Sequence, residues 1–95
     1  MAGQLFDLGS EKIKNQIADY QKQNAIHAHH VSVSHLLKLV EENSAIVGFK
    51  IEHSYDENNV HNLVISGVDK TGAIASSSFI SDVPPCSPKC DPSFV

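Results

Sequence analysis

The 95-residue sequence predicts an α+β fold in which two N-terminal helices pack on one face of a three-stranded antiparallel β-meander. Apolar residues follow the helical period in the first half of the chain and the strand period in the second. All four prolines and both cysteines lie in the last fourteen residues, which therefore cannot form a helix or a central strand. We expect one domain over residues 1–81 and an extended, Pro-rich tail over residues 82–95.

The first predicted helix covers about residues 11–23, and Ser10 is its expected N-cap. Ile13, Ile17 and Tyr20 form one narrow apolar stripe, while the other positions are Lys, Gln, Asn and Asp. A stripe this thin is typical of a helix on the outside of a domain.

The second predicted helix covers residues 33–42 and gives the strongest helical signal in the chain, with Ser32 or Ser34 as its cap. Its apolar residues repeat at the i, i+3, i+4, i+7 spacing and are Val33, Leu36, Leu37 and Val40. The helix should end near Glu42, because Asn43 and Ser44 favour a turn.

Three strands are predicted in the second half of the chain. Residues 45–55 alternate between apolar and polar positions, 60–68 are rich in β-branched residues, and 73–80 form the third run. Residues 56–59 supply the first turn. The second, Asp69-Lys-Thr-Gly72, is typical of a type I turn closed by a G1 bulge.

The register of the meander can be predicted from its apolar pattern, because a one-residue slip exchanges the two faces of a strand. The expected cross-strand pairs are Phe49 with Ile65, Ile51 with Leu63, and His53 with His61. The second turn would place Phe79 beside Leu63. The face toward the helices then carries Val47, Phe49, Ile51, Leu63, Ile65, Ala75 and Phe79.

The opposite sheet face is less polar than a solvated face should be. In the predicted register it carries Ile46, Val60, Val64, Val68, Ile74 and Ile80. A partner subunit, the tail or the first helix could cover it, and we take Val60, Val64, Val68 and Ile74 as the candidate interaction residues. Three strands with an open apolar face are marginal alone, so a protein partner or a homo-oligomer is expected.

Composition and motifs argue against several functional classes. The net charge is −4, and the seven basic residues are lysines that form no stripe, which disfavours nucleic-acid binding. The sequence shows neither a signal-peptide pattern nor a run of about 20 apolar residues, so we expect a cytoplasmic address and no membrane insertion. We expect no enzyme, since neither Ser76-Ser77-Ser78 nor Asp56-Glu57 occurs in a catalytic motif.

The tail carries the specialised chemistry of the sequence. Cys86 and Cys90 are four positions apart, so they could ligate zinc, form a disulfide or redox pair, or remain free thiols. His53 and His61 are the candidate further zinc ligands, although a hairpin-end pair without metal is the plainer interpretation. A site of all four residues requires the tail to return to that end of the sheet. Our expectation is no cofactor, with zinc as the alternative.

A second histidine group lies between the two predicted helices. It consists of His27, His29, His30 and His35. Imidazoles suit zinc, copper and nickel, but the group contains no Cys, Asp or Glu and lies in a connecting loop, which favours a solvated polar connection over a metal site. A pH-sensitive hinge is a third interpretation, because several histidines would charge together below about pH 6.5.

Four segments resemble a family of short bacterial proteins, found especially among Bacteroidota, that has no established function. These are Ile46-Val-Gly-Phe-Lys-Ile-Glu52, the run Leu63 to Gly72 with its Gly-Val-Asp-x-x-Gly turn, Pro84-Pro-Cys86, and Cys90. The resemblance covers roughly residues 33–90, and the chain departs from it around residues 43–45, where the family commonly has Gly-Cys. It implies a bacterial source and a helix followed by a meander.

The sequence thus leaves two functional hypotheses. The first is a small non-catalytic protein-interaction module, an accessory subunit or a regulatory or inhibitor protein that uses the apolar sheet face, the tail, or both. The second is a small metal-binding or thiol-redox protein that uses Cys86 and Cys90.

Overall fold

A computed structural model describes residues 3–5, 7, 9–24, 28–83 and 85–86. Its helices and strands are α1 (Glu11–Gln21), β1 (Ala28–His29), α2 (Val33–Glu42), β2 (Gly48–Tyr55), β3 (His61–Val68) and β4 (Pro85–Cys86). Two antiparallel sheets result, one from β1 and β4 and the other from β2 and β3. The α+β character predicted from the sequence is confirmed, whereas the three-stranded sheet is not.

Both helices occur where the sequence predicts them, and α2 has the predicted bounds. Ser10 caps α1, since its hydroxyl oxygen accepts the Ile13 N–H at 3.4 Å. None of the α1 residues is buried, as expected for a helix on the outside of a domain.

The apolar stripe of α2 is rotated relative to the prediction. Leu39 is its buried residue, and Leu36 packs against the same core. Val33 remains 70% exposed, and Leu37 and Val40 are also exposed. Three of the four residues predicted to face the core therefore form an exposed apolar stripe on α2.

The β2–β3 hairpin has a register two residues away from the predicted one. Ile51 pairs with Ile65, and His53 pairs with Leu63. The last pair before the turn is Tyr55 with His61. A shift of two keeps every β2 and β3 side chain on its predicted face, but His53 no longer lies directly opposite His61.

The first turn sets this register. The Asp56 N–H donates to the Val60 carbonyl at 2.9 Å, and the Asp56 carboxylate accepts the N–H groups of Asn58 and Val60. Asn59 has a left-handed φ of 61°, a conformation that asparagine tolerates better than most residues. The hairpin therefore closes on a short loop whose centre lies one residue later in the chain than in the predicted register.

The second turn, Asp69 to Gly72, has the same arrangement as the first. It is the turn that the sequence predicts. The Asp69 N–H donates to Ala73 at 2.9 Å, and Gly72 has a φ of 86°. The Asp69 carboxylate accepts hydrogen bonds from the Thr71 hydroxyl and N–H and from the Ala73 N–H. Hydrogen bonds from Thr71 lower the pKa of Asp69 from its ordinary value.

In place of the predicted third strand, residues 73–80 touch β3 at two separate bridges, Val68 with Ile74 and Ile65 with Ile80. Between the bridges, two residues of β3 face five residues of the neighbouring segment, which therefore bulges. In the bulge the Ser76 hydroxyl accepts the Gly67 N–H at 3.0 Å, replacing a backbone acceptor. The prediction of a continuous third strand is therefore wrong.

The last residue of α2 holds the bulge in place. One carboxylate oxygen of Glu42 accepts the Ser77 N–H at 2.9 Å, the Ser77 hydroxyl at 3.0 Å and the Ser78 N–H at 3.2 Å. Hydrogen bonding from Ser78 and Ser77 lowers the pKa of the Glu42 carboxyl.

The bulge also exchanges two predicted positions. Ile80 pairs with Ile65 and packs against the core, whereas the sequence placed it on the opposite face. Phe79, predicted to lie beside Leu63 under the helices, is exposed.

The core is small and consists of Leu39, Ile65 and Val83, surrounded by Val31, Leu36, Leu63 and Ile80. Val83, which belongs to the predicted tail, is positioned by Asn62. The buried Asn62 amide accepts the Val83 N–H at 3.2 Å and donates to the Ser81 hydroxyl at 3.1 Å. These bonds direct the chain back across β3 toward β1.

Candidate functional site

The tail returns to the histidines at the hairpin end of the larger sheet. Ala28 pairs with Cys86 and His29 pairs with Pro85 in the β1–β4 sheet. The His29 ring bonds through Nδ1 to the Val83 carbonyl at 3.1 Å and through Nε2 to Nδ1 of His61 at 3.5 Å. The described tail residues 85–86 thus pair with β1, whose His29 contacts His61.

The His53 and His61 side chains meet although they are not directly opposite. Nδ1 of His53 lies 3.0 Å from Nε2 of His61, because diagonal neighbours on one sheet face are within reach of aromatic side chains. The two ring planes are 15° apart and the ring centroids are 5.2 Å apart. The nitrogen–nitrogen distance plus the two ring radii matches the distance between the centroids. The rings therefore lie side by side and share an in-plane hydrogen bond.

The Val83 carbonyl fixes the direction of hydrogen bonding in this histidine chain, His29–His61–His53. A carbonyl can only accept, so Nδ1 of His29 carries a proton, and Nε2 of the neutral ring is an acceptor. His61 must then donate from Nδ1 and accept at Nε2, where His53 donates from its own Nδ1. All three neutral rings are thereby Nδ1–H tautomers, with Nε2 of His53 left as the terminal acceptor.

This geometry can accept one proton without losing a hydrogen bond. A proton added at Nε2 of His53 leaves both links intact, and it can move to His61 or His29 if the remaining tautomers reverse. A second proton would place two N–H groups face to face in one link. Both hydrogen bonds of the histidine chain are therefore compatible with at most one added proton.

A shallow groove of about 280 Å³ adjoins the histidine chain. Its lining combines the three imidazoles with Tyr20 of α1 and the apolar side chains of Ala28, Ile51 and Leu63. The groove is thus mainly apolar, with the histidine chain along one side.

The metal hypothesis is supported by the position of residues 85–86 beside β1, but the described residues form no preformed metal site. Among the described residues, no three or more His, Cys, Asp or Glu side chains are grouped so that they could hold a metal ion. Both ring nitrogens of His61 already face other imidazoles, so zinc binding by His61 would require one of these two contacts to open. Cys90 and His27 lie outside the described residues.

The other histidines of the predicted cluster are not part of this chain. His30 is half-buried and His35 is exposed on α2. The structure therefore selects His29 from that group and joins it to the two sheet histidines. No local pattern predicts this link, because it depends on where residues 81–83 and 85–86 lie.

The second candidate feature is β2, an edge strand with an exposed apolar face. Val47, just before the strand, is 70% exposed, Ile51 is 55% exposed, and Phe49 and Tyr55 are exposed as well. Val47, Phe49 and Ile51 were predicted to lie on a face covered by helices. In the structure α2 packs on Ile65 of β3 and leaves β2 open.

Alternating backbone groups of β2 also point away from the sheet. The Asp56–Val60 and Ile65–Ile80 hydrogen bonds show that even-numbered β2 residues bond to β3. The N–H and C=O groups of Phe49, Ile51 and His53 therefore point to the free edge. Within the described part of the chain, no other segment bonds to them.

The predicted interaction residues on the opposite face divide into two pairs. Val60 and Ile74 are exposed, whereas Val64 and Val68 are half-buried. Ile46, assigned to the same face, is instead buried against Gly67. This face is therefore less open than the face that carries Ile51.

Comparison with protein-family models, with curated proteins and with solved structures found no match to this chain. Within the described residues, none of the helices is both long and apolar enough to span a membrane.

Proposed function

We propose that the protein is a small, non-catalytic protein-interaction module, acting as an accessory subunit or a regulatory or inhibitor protein. The observation that carries this proposal is that apolar residues are exposed although their spacing along α2 and β2 is typical of core positions. Val33, Leu37 and Val40 on α2 and Val47, Phe49 and Ile51 at β2 all face solvent. Contiguous exposed apolar surface on a small domain usually marks an interaction site.

The free edge of β2 gives this surface directional contacts besides apolar ones. A partner strand could bond to the outward-facing groups of Phe49, Ile51 and His53, as in recognition by β-strand addition. The proposal includes the cytoplasmic address and the bacterial source expected from the sequence.

The test is affinity purification of the tagged full chain from its host, with three lysine variants. Leu37→Lys alters α2, Ile51→Lys alters β2, and Val64→Lys alters the opposite sheet face. We expect the wild type to retain a defined partner or a second copy. Of the three variants, the one that alters the binding surface should lose this partner. Gln16→Lys, on the exposed polar side of α1, should retain binding. A wild-type chain that is monomeric and retains nothing would contradict the proposal.

The metal-binding or thiol-redox function is a second proposal, supported by the return of residues 85–86 to the histidine chain. It uses Cys86, Cys90, His53 and His61, with zinc as the metal. Intact mass in native and denaturing conditions, with and without reductant, separates bound zinc, a disulfide and free thiols. Zinc that is retained by the wild type and lost in both His53→Gln and Cys86→Ser would support the site; free thiols without zinc would eliminate it.

A further inference from the structure

We propose that the partner of the β2 edge is a second copy of this chain, paired antiparallel to β2 about a two-fold axis at Ile51. This inference rests on the proposed interaction function and names its occupant. Two β2–β3 hairpins would then form one continuous four-stranded antiparallel sheet.

The outward backbone groups allow this pairing. In an antiparallel pair, residues that exchange hydrogen bonds alternate with residues that do not. The outward groups belong to odd-numbered residues, so Ile51 can bond to Ile51 of the second copy, and Phe49 to His53. The same groups exist on both copies, as a two-fold interface requires.

Charge complementarity selects the register. The charged residues of β2 are Lys50 and Glu52, which lie 3.9 Å apart at their charged atoms and are half exposed. Centring the axis on Ile51 places each Lys50 opposite Glu52 of the second copy. Shifting the axis by one residue would pair Lys50 with Lys50 or Glu52 with Glu52, which is unfavourable.

The apolar residues complete the match on the other face. With the axis at Ile51, Phe49 lies beside His53 of the second copy, and the two Ile51 residues lie beside each other. Aromatic and β-branched cross-strand pairs of this kind stabilise sheets. The pairing therefore places apolar or aromatic side chains beside the exposed Phe49 and Ile51 of β2.

The test is sedimentation equilibrium of the full chain over a wide concentration range. We expect the wild type to change from 10.3 kDa to twice that mass as concentration rises. Lys50→Glu and Glu52→Lys each create two like-charged pairs across the axis, and each should weaken dimerisation at least about tenfold. Both positions are solvent-accessible, so circular dichroism should show an unchanged fold.

An equimolar mixture of the two single variants is the matched control. One variant carries two acidic residues on β2 and the other carries two basic ones, so the mixed dimer regains opposite charges at both positions. We expect the mixture to dimerise at least as strongly as the wild type. Single variants that dimerise like the wild type, or a mixture that stays as weak as its components, would overturn the pairing.

Different results would contradict the proposed dimer and the broader interaction function. A monomeric wild type that still retains a host protein would overturn the dimer and leave the interaction function in place. A monomeric wild type that retains nothing would overturn both.

Discussion

Gly67 shows how one residue position shapes the packing of the sheet. An added Cβ would lie 2.7 Å from Cδ1 of Ile46 and 3.1 Å from its Cγ1 and Cγ2 atoms. Ile46 is buried, so its side chain has little freedom to move aside. The glycine therefore makes the space in which Ile46 covers β3.

Gly67→Ala should destabilise the fold by about 1–3 kcal/mol, because overpacking a filled site forces side chains or backbone to shift. Urea denaturation would measure the change. Gly48→Ala is the matched control, since its added Cβ would meet Val68 at an ordinary 3.7 Å. Equal stability of the two variants would contradict the packing of Ile46 on Gly67.

The tautomers of the histidine chain are a second prediction at the residue scale. At neutral pH, ¹⁵N NMR should show a protonated Nδ1 and an unprotonated Nε2 on His29, His61 and His53, because the Val83 carbonyl accepts from the first ring. His35, exposed on α2, provides the reference. An Nε2–H tautomer on His61 would show that the chain does not have this direction.

At the scale of elements, local sequence signals predicted the helices and the second turn correctly. Ser10 caps α1, and Gly72 adopts the positive φ expected of it. The first turn follows the same plan, with Asn59 where the second has Gly72. Reading Asp56-x-x-Asn59 as equivalent to Asp69-x-x-Gly72 would have given the observed register from sequence alone.

Other elements could not be predicted from the sequence because distant residues determine them. The bulge that replaces the third strand depends on Glu42, more than thirty residues away. The rotated stripe of α2 depends on Val83, which joins Leu39 in the core. The histidine chain similarly depends on the position of Val83, which local patterns do not encode.

The Glu42 contact predicts a pH dependence of stability. Because folding lowers the pKa of Glu42, its contribution is fully present above the unfolded-state pKa and is lost as pH falls through the lower folded-state value. Chemical denaturation should show Glu42→Gln to be less stable than wild type near pH 7, with the difference shrinking toward pH 3. Glu41→Gln, at the exposed neighbouring position, should show a smaller effect. A constant difference across this pH range would refute the contribution of the Glu42 charge.

At the scale of the whole molecule, the described residues bury few apolar side chains and leave many exposed. The core contains Leu39, Ile65 and Val83, while exposed apolar residues cover one side of α2 and of β2. A domain with so small a core gains stability when a partner covers its exposed apolar surface. The proposed association through β2 would cover part of this surface, namely the exposed apolar residues of β2.

Amide hydrogen exchange along β2, measured at low and high protein concentration, tests this account most directly. The even-numbered amides of Lys50, Glu52 and Ser54 bond to β3 and should be protected at both concentrations. The odd-numbered amides of Phe49, Ile51 and His53 should exchange quickly in dilute solution and become protected as the concentration rises. Odd-numbered amides whose exchange does not depend on concentration would contradict pairing of β2 with a second copy.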